Sequence, residues 1–277
     1  MKVVNSLDEL KAALLSLEPV IGLVPTMGYL HEGHLSLIRR AKDEGKSTVV
    51  SIFVNPTQFG PNEDLSKYPR DLERDLSLIR SLGVDLVWTP TPEIMYPQGY
   101  QTWVEVDALT KRLEGAMRPG HFKGVTTVVA KLFNAVQPQR AYFGQKDAQQ
   151  AAVIRQMTKD LNFPIEVIVC PTVRETDGLA MSSRNKYLEG DNRRAATVLF
   201  RALSVAKDTY NKGERNAEKL RTIMKDTLAS EPRAQMQYIS CADYDTLGEL
   251  DVIKGKTLLS MAVLFGKTRL IDNFVLE

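Results

Sequence analysis

The sequence predicts an α/β protein, with a Rossmann-like, doubly wound parallel sheet followed by a smaller C-terminal α+β domain. Between residues 20 and 173, apolar runs of strand length alternate with segments of helical periodicity. Two of these runs lead through glycine-bearing turns into helices, which is typical of nucleotide-binding folds. After residue 189, two helical segments precede three strand-like segments without alternation, which favours an antiparallel sheet.

Length and composition bound the function. A chain of 277 residues exceeds the usual size of one core, and we expect domains at 1–173 and 174–277. Lys and Arg total 36 against 34 Asp and Glu, so the charge of +2 provides no general field for nucleic acid or anionic lipid. Two distant cysteines, no signal peptide and no apolar run near ~20 residues predict a cytoplasmic protein without a membrane partner.

The first elements are a helix, a strand and a second helix. Ser6 and Glu9 form a capping-box pattern that predicts a helix over the following LKAALLSL. Residues 20–25 form an apolar run, and Leu35 and Ile38 begin the next helical pattern. The turn between this strand and this helix is the main functional candidate.

Two of the three histidines, His31 and His34, lie in that turn, together with Gly28 and Gly33. Unpaired N–H groups and the macrodipole at a helix start favour an anion, and glycine lets backbone approach a ligand closely. The ring N–H groups suit charge developing on phosphorus. Two alternatives remain open, namely that the histidines only cap the helix or form half of a zinc site.

The segment PTMGYLHEGH resembles the HxGH signature of the nucleotidylyltransferase superfamily and, in its full form, the pantoate–β-alanine ligase family. The resemblance implies that His34 and His31 are catalytic. It also implies ATP-binding residues throughout the turn, which are Met27, Gly28, Tyr29, Leu30, His31, Glu32, Gly33 and His34.

The run at 47–55 predicts a buried parallel strand, and the loop 55–62 follows at its carboxyl end, where open α/β sheets bind ligands. A loop glutamine such as Gln58 is ordinarily solvated. The stretch FVNPTQFGPNED, however, resembles the family segment whose glutamine contacts pantoate and β-alanine. The resemblance implies Gln58 as a substrate-binding residue and Asn55 as a weaker companion.

The next helical pattern runs through Leu72 and Ile79, and residues 84–90 predict another buried strand. On that helix, Asp75 is either a solvated carboxylate or a ligand that helps to hold Mg²⁺. The less regular stretch 91–122 includes the alternating TWVEV, a possible edge strand.

Arg118 and His121 lie in RPGHFKG, which is a turn or, by resemblance to the family's RPGHFxGV, a segment near the active site. They are secondary substrate-binding candidates. Residues 124–138 then predict a helix that ends at a proline, and 140–144 predict a short strand.

GQKDAQQ opens a second strand-to-helix turn, in which Lys146 offers a mobile charge to a polyphosphate. A single lysine at a helix start is usually only a surface residue. The segment resembles the family's G-x-K-D-x-Q-Q, which implies ATP contacts from Gly144, Gln145, Lys146 and Asp147, a catalytic role for Lys146, and a pantoate contact from Gln150.

Residues 165–173 predict the last parallel strand, which ends at Val173. The loop beyond it carries two hydroxyls and a guanidinium, which suit phosphate oxygens or, alternatively, form a serine-rich capping turn. The loop resembles the family's SSRN and takes the place of the superfamily's second, KMSKS-like phosphate signature. The implied ATP-binding residues are Val173, Met181, Ser182, Ser183 and Arg184.

The C-terminal domain is predicted to contain one long helix over 195–206, a second helix over 217–228, and strands in MQYISCADY, TLLSMAVLF and TRLIDN. Because 182–184 lie at its root, this domain is expected to act as a lid over ATP.

The resemblance implies that the chain uses ATP and Mg²⁺ to activate pantoate as an adenylate, which β-alanine converts to pantothenate, in a homodimer. Mg²⁺ would be held mainly by the ATP phosphates. Three alternatives are another HxGH nucleotidylyltransferase, a small relative of the aminoacyl-tRNA synthetases, and a nucleotide sensor without enzyme activity.

Overall fold

A computed structural model describes residues 1–61 and 63–277. Asn62, the end of the loop predicted at 55–62, lies outside the described residues. The chain divides into two units. One unit comprises residues 1–144 and 150–171, and the other comprises 145–149 and 172–277.

The first unit contains a parallel sheet of six strands, in the order β1-β4-β3-β2-β5-β6. These strands are β1 (Lys2–Val4), β2 (Ile21–Thr26), β3 (Ser47–Ile52), β4 (Leu86–Trp88), β5 (Arg140–Gly144) and β6 (Glu166–Cys170). From β2 the sheet extends to one side through β3 and β4, and then to the other side through β5 and β6. The point between β2 and β5 is therefore the topological switch point, where open α/β sheets bind ligands.

Helices connect the strands of this sheet. They are α1 (Leu7–Leu14), α2 (Glu32–Glu44), α3 (Leu72–Ser81), α4 (Pro92–Met95), α5 (Leu113–Met117), α6 (His121–Val136) and α7 (Ala148–Asp160). The predicted capping box of α1 is present, because Ser6 Oγ accepts from Glu9 N–H and Glu9 Oε2 accepts from Ser6 N–H. The predicted parallel α/β sheet is confirmed.

The apolar strands are buried because helices cover the sheet. Val49 and Val50 of β3 and Val87 of β4 have no exposed surface. The face of α2 that carries Leu37, Ile38 and Ala41 packs into the core that contains Val50 and Val87. This packing fixes α2, and with it the turn after β2.

Two local predictions were wrong, and one strand, β1, was not predicted. TWVEV (residues 102–106) forms no strand in the described structure. Instead, Val104 N–H donates to Thr127 Oγ1 and Val104 O accepts from Thr126 Oγ1, so α6 satisfies the backbone that a sheet would otherwise pair. Helix α6 also begins at His121 rather than 124, because Gly120 adopts φ +82° and starts the helix early.

The second unit contains two long helices against a three-stranded antiparallel sheet, as predicted. Its elements are α8 (Gly190–Ala195), α9 (Val198–Asn211), α10 (Ala217–Ala229), β7 (Ala234–Asp243), β8 (Thr257–Phe265) and β9 (Thr268–Leu276). Leu220, Met224 and Leu228 of α10 are buried in its core. The single helix expected over 195–206 is interrupted between α8 and α9, where the Thr197 hydroxyl donates to the Arg194 carbonyl.

Residues 145–149 were predicted to belong to the first domain, but the structure groups them with the second unit. The cause is a side chain of β9, because Asn273 Nδ2 donates to the carbonyls of both Gln145 and Lys146, at 3.0 and 2.9 Å. The rest of the predicted boundary at 173 stays a prediction.

Among the described residues, every helix is either too short or too polar to cross a lipid bilayer.

We expect Gly124→Ala to destabilise the chain. A Cβ at this position of α6 would lie 2.5 Å from Thr57 O and 2.7 Å from Gln58 N, which are backbone atoms that cannot turn aside. Overpacking of this kind costs about 1–3 kcal/mol, measurable as the free energy of unfolding in urea. As a control, Gly255→Ala would meet no atom within 4 Å and should change stability by less than about 0.5 kcal/mol. Equal stability of the two variants would contradict the close approach.

Candidate active site

The turn after β2 has a backbone that most residues avoid. Gly28 and Tyr29 both adopt positive φ, +81° and +50°. Thr26 supports the turn by donating from Oγ1 to Ser51 O and accepting from Gly28 N–H. A left-handed tyrosine is uncommon, so surrounding contacts have to stabilise it.

Asp75 supplies those contacts. Its carboxylate on α3 is 1% exposed and accepts from Tyr29 N–H at 2.6 Å and Leu30 N–H at 2.8 Å. Burial raises the pKa of Asp75, while the two N–H donors and Arg74 oppose that rise. The carboxylate therefore acts on the backbone of the turn, a role that the sequence did not reveal.

His31 and His34 cap α2 reciprocally. His31 Nδ1 accepts from Gly33 N–H at 3.1 Å, and His34 Nδ1 accepts from His31 N–H at 3.3 Å. The ring centroids lie 4.1 Å apart. An imidazole whose Nδ1 accepts carries its proton on Nε2 when neutral. The capping alternative is thus present, and it leaves both rings as Nε2–H donors.

The other residues of this turn differ in how they are placed. Leu30 is fully buried, and its carbonyl accepts from Arg74 Nη1. Glu32 is exposed, and its carboxylate pairs with Arg39. Met27 is half-buried, and its Sδ accepts from Gln58 Nε2 at 3.1 Å. ATP contacts from these residues stay predictions.

Gln58 and Asn55 lie at the carboxyl end of β3, as predicted. Asn55 is 1% exposed, and its Nδ2 donates to Gln58 Oε1 and to Gly124 O, both at 3.1 Å. Its Oδ1 accepts from Tyr96 Oη at 2.8 Å and from Thr57 Oγ1 at 2.9 Å. The buried Asn55 therefore orients the Gln58 amide. Sequence reasoning missed Tyr96, which is the partner of Asn55.

Arg118 and His121 also converge on Gln58, and Glu63 joins them. Arg118 forms a forked pair with Glu63, Nε to Oε1 and Nη2 to Oε2, both 2.6 Å. Arg118 Nη1 lies 3.1 Å from His121 Nε2, and His121 Nδ1 lies 2.8 Å from Gln58 O. Since a carbonyl only accepts and a guanidinium only donates, His121 has its proton on Nδ1. Burial, and then the Arg118 charge, lower its pKa to about 4.

In the second unit, neutral side chains hold the segment around Lys146. Besides the two carbonyls bound by Asn273, Gln145 Nε2 donates to Asn273 Oδ1 and Gln145 Oε1 accepts from Tyr244 Oη. Lys146 Nζ lies 3.8 Å from Asp147 Oδ1. These contacts fix the backbone here, and the Lys146 side chain is 21% exposed.

The predicted phosphate loop of the second unit is a 3₁₀ turn over Ser183–Tyr187. Ser182 is its N-cap, since Ser182 Oγ accepts from Arg184 N–H at 3.2 Å. Met181 N–H donates to Val173 O, which ties the two ends of the preceding loop. The capping alternative for Ser182 is thus present in the structure, and the hydroxyl proton still has to be donated elsewhere.

Asn185 and Glu175 support this turn, and sequence reasoning missed both. Asn185 Nδ2 donates to Glu175 Oε1 at 2.8 Å and to Ala180 O at 3.1 Å. Arg193 pairs with Glu175 and with Asp177. The available signal was the acidic pair Glu175 and Asp177, which lies shortly before the SSRN segment.

Gly144 and Gln150 belong to the first unit. Gly144 ends β5 and pairs with Cys170 of β6, and Gln150 lies half-buried on α7. Within residues 1–61 and 63–277, no group of three or more His, Cys, Asp or Glu side chains is arranged to hold a metal ion.

Comparison with known proteins gives consistent results along the whole chain. A family model described as pantoate-beta-alanine ligase matches residues 2–275. A protein of Roseiflexus castenholzii named pantothenate synthetase is 58% identical over 277 residues, which cover 100% of both chains. A protein of the same name from Acetivibrio thermocellus is 55% identical over 280 residues, again with 100% coverage of each.

Solved structures agree with the fold. Pantothenate synthetase from Thermus thermophilus superposes with a TM-score of 0.95 at 48% identity, covering 99% of each chain. A pantoate-beta-alanine ligase from Francisella tularensis, complexed with beta-gamma ATP and beta-alanine, gives a TM-score of 0.81 at 37% identity and covers 99% of this chain and 97% of its own.

We expect Asp75→Asn to destabilise the turn after β2. The amide retains one acceptor but directs an N–H₂ group at a backbone N–H, so one buried donor loses its partner at a cost of about 1–3 kcal/mol. Urea unfolding measures this loss. Asp71→Asn makes the same chemical change at the N-cap of α3, where asparagine caps as well as aspartate, and should be nearly neutral. A loss of the same size in both variants would contradict the role assigned to Asp75.

His121 should make stability depend on pH. Its pKa is about 4 when folded against an ordinary value of 6.5, so the unfolded state binds the proton first and the stabilisation present above pH 6.5 is lost as pH falls toward 4. Between pH 7.5 and 5.0 this amounts to about 2 kcal/mol of unfolding free energy. The decrease in His121→Asn should be smaller by that amount. Equal decreases in the two proteins would show that His121 is not buried as a neutral ring.

Proposed function

This chain belongs to the pantoate–β-alanine ligase family, and we propose that it is the ligase that condenses pantoate with β-alanine at the expense of ATP. It is an enzyme of the ligase class. The observation that best supports the proposal, beyond the family, is the reciprocal cap of His31 and His34, which presents two ring N–H donors at a helix start.

The reaction proceeds in two steps. A pantoate carboxylate oxygen attacks the α-phosphorus of ATP, the bond to the β-phosphate oxygen breaks, and pyrophosphate leaves. The β-alanine amine then attacks the acyl carbon of the pantoyl adenylate, the bond to the AMP oxygen breaks, and the amine gives up a proton as pantothenate and AMP form. Neither step needs a nucleophile from the protein, so positioning and stabilisation of charge dominate.

The residue roles follow from donor chemistry. His34 and His31 would donate from Nε2 to the α-phosphate region, and Lys146, Ser182, Ser183 and Arg184 would serve the β- and γ-phosphates. Gln58 and Gln150 would bind pantoate. One preorganised donor of this kind commonly contributes about 3 kcal/mol, or about a hundredfold in rate.

Asn55, Arg118 and His121 would act differently from the sequence-based expectation. Because Asn55 is buried and Arg118 is paired with Glu63, these residues support Gln58 rather than contact substrate directly. The second unit, which carries the Lys146 and Ser182 segments, would close as a lid and keep water from the adenylate.

Mg²⁺ would enter as part of the substrate, as MgATP, and neutralise charge on the departing pyrophosphate. The Asp75 carboxylate accepts two backbone N–H bonds, so its chemistry fits a structural role better than that of a principal metal ligand. The predicted homodimer and cytoplasmic location are also part of this proposal. Both rest on the family resemblance, and the location also rests on two cysteines, Cys170 and Cys241, that are buried as thiols.

Substitutions that preserve the cap can separate capping from catalysis. His34→Gln keeps an acceptor at the third helical position, where glutamine completes a capping box, but removes the ring N–H. We expect unchanged stability and a loss of about a hundredfold in pantoate-dependent pyrophosphate release. His31→Asn, which retains a favoured N-cap residue, should behave similarly.

The assay measures pyrophosphate release with MgATP and pantoate, with and without β-alanine. The intact chain should turn over repeatedly only with β-alanine, and Asp43→Ala, an exposed change on the same helix, should match it. Equal pyrophosphate release with and without pantoate would contradict the assignment of pantoate as the substrate. Full activity in His34→Gln would reduce this histidine to a helix cap.

A further inference from the structure

Gln58 is held from both of its ends. Its side-chain amide donates to Met27 Sδ and accepts from Asn55 Nδ2. Its backbone carbonyl accepts from His121 Nδ1 at 2.8 Å, with Arg118 Nη2 at 3.4 Å. A residue that only filled a loop would not require this many oriented partners, so the contacts indicate that the direction of the amide matters.

The Arg118 guanidinium is already paired with a carboxylate and does not offer its charge to a ligand. The Arg118 side chain is 17% exposed, and two of its nitrogens bind both carboxylate oxygens of Glu63, whose side chain is 27% exposed. Although burial raises the pKa of Glu63, hydrogen bonds and the charge of Arg118 outweigh it and hold that pKa below its usual value. The two residues therefore form an ion pair with two parallel hydrogen bonds, and this forked geometry gives arginine its specificity for carboxylates.

Arg118, held by Glu63, and the Gln58 carbonyl together determine which ring nitrogen of His121 carries the proton. With two of its nitrogens on Glu63, Arg118 directs Nη1–H at His121 Nε2. That nitrogen must accept, so Nδ1 carries the proton and donates to Gln58 O. The contacts form one directed chain from Glu63 through Arg118 and His121 to Gln58.

We propose that Glu63, Arg118 and His121 form a positioning relay that orients Gln58 toward the hydroxy-acid substrate. The assignment of Gln58 to that substrate rests on the proposed function. The relay adds two things to it, namely a role for Glu63 and an indirect role for the cation of Arg118. A competing possibility is that an incoming substrate carboxylate displaces Glu63 and binds Arg118 itself.

The direction of the change in KM separates these two possibilities. In Glu63→Gln the forked pair is lost, so a relay predicts a KM for pantoate raised about tenfold, with the KM for ATP within about twofold and kcat changed less than about threefold. If Arg118 binds the substrate in place of Glu63, removing the competing carboxylate lowers the KM for pantoate. A lower KM would overturn the relay.

Two further variants complete the test. Arg118→Lys keeps a cation for Glu63 but loses the planar fork, so the relay predicts the same rise in KM as Glu63→Gln, and no further rise when both are combined. Glu166→Gln removes the carboxylate of another arginine pair, between Glu166 of β6, whose side chain is exposed, and Arg140 of β5, and should leave every constant unchanged. Additive effects of the two relay variants would contradict a single chain of contacts.

Nitrogen chemical shifts of the three histidine rings test the relay without substrate. The relay predicts the proton of His121 on Nδ1 in the intact chain and a larger Nε2–H fraction in Glu63→Gln, where only the Gln58 carbonyl still favours Nδ1–H. A proton on Nε2 in the intact chain would refute the relay whatever the activity. Absence of pantoate-dependent AMP formation by the intact chain would instead overturn the proposed function, and with it the substrate assigned to Gln58.

Discussion

The buried carboxylate of Asp75 is the interaction on which the site depends. The turn after β2 requires positive φ at two successive residues, one of them a tyrosine, and the backbone alone does not favour that conformation. Two N–H bonds to one carboxylate, at 2.6 and 2.8 Å, stabilise it. Because α2 begins directly after this turn, the same contact fixes where the first helical N–H groups and the two histidines lie.

The histidines show that capping and catalysis are compatible uses of one side chain. Nδ1 of each ring accepts a hydrogen bond from a backbone N–H at the start of α2, which would otherwise lack a partner. That use fixes the tautomer and leaves Nε2–H as the donor for the phosphate chemistry proposed here. A ring with protons on both nitrogens could not accept this backbone N–H bond.

The sequence predicted what depends on neighbouring residues, and it failed where distant segments meet. The parallel strands, the turn with His31 and His34, and the antiparallel sheet follow from local periodicity. Asp75 contacts Tyr29, 46 residues away in the sequence, and Asn273 contacts Gln145, 128 residues away. Sequence spacing therefore predicts neither contact. TWVEV alternates like a strand, yet the threonines of α6 satisfy its backbone first. The strand propensity of this segment is overridden by hydrogen bonds to α6.

Three asparagine amides, two of them buried and one half-buried, fix the loops that carry the proposed ligands. Asn55 holds the Gln58 loop, Asn185 the turn after Ser182, and Asn273 the segment around Lys146, and each donates from Nδ2 to two acceptors. An amide orients its surroundings without adding charge, whereas a charged residue in its place would change the field felt by a polyphosphate. Stabilising charge that develops on phosphorus requires donors already in place, because reorienting them during the reaction would cost the free energy they supply. The three amides therefore hold these loops without adding a charge of their own, although carboxylates such as Asp75 and Glu175 also support the loops.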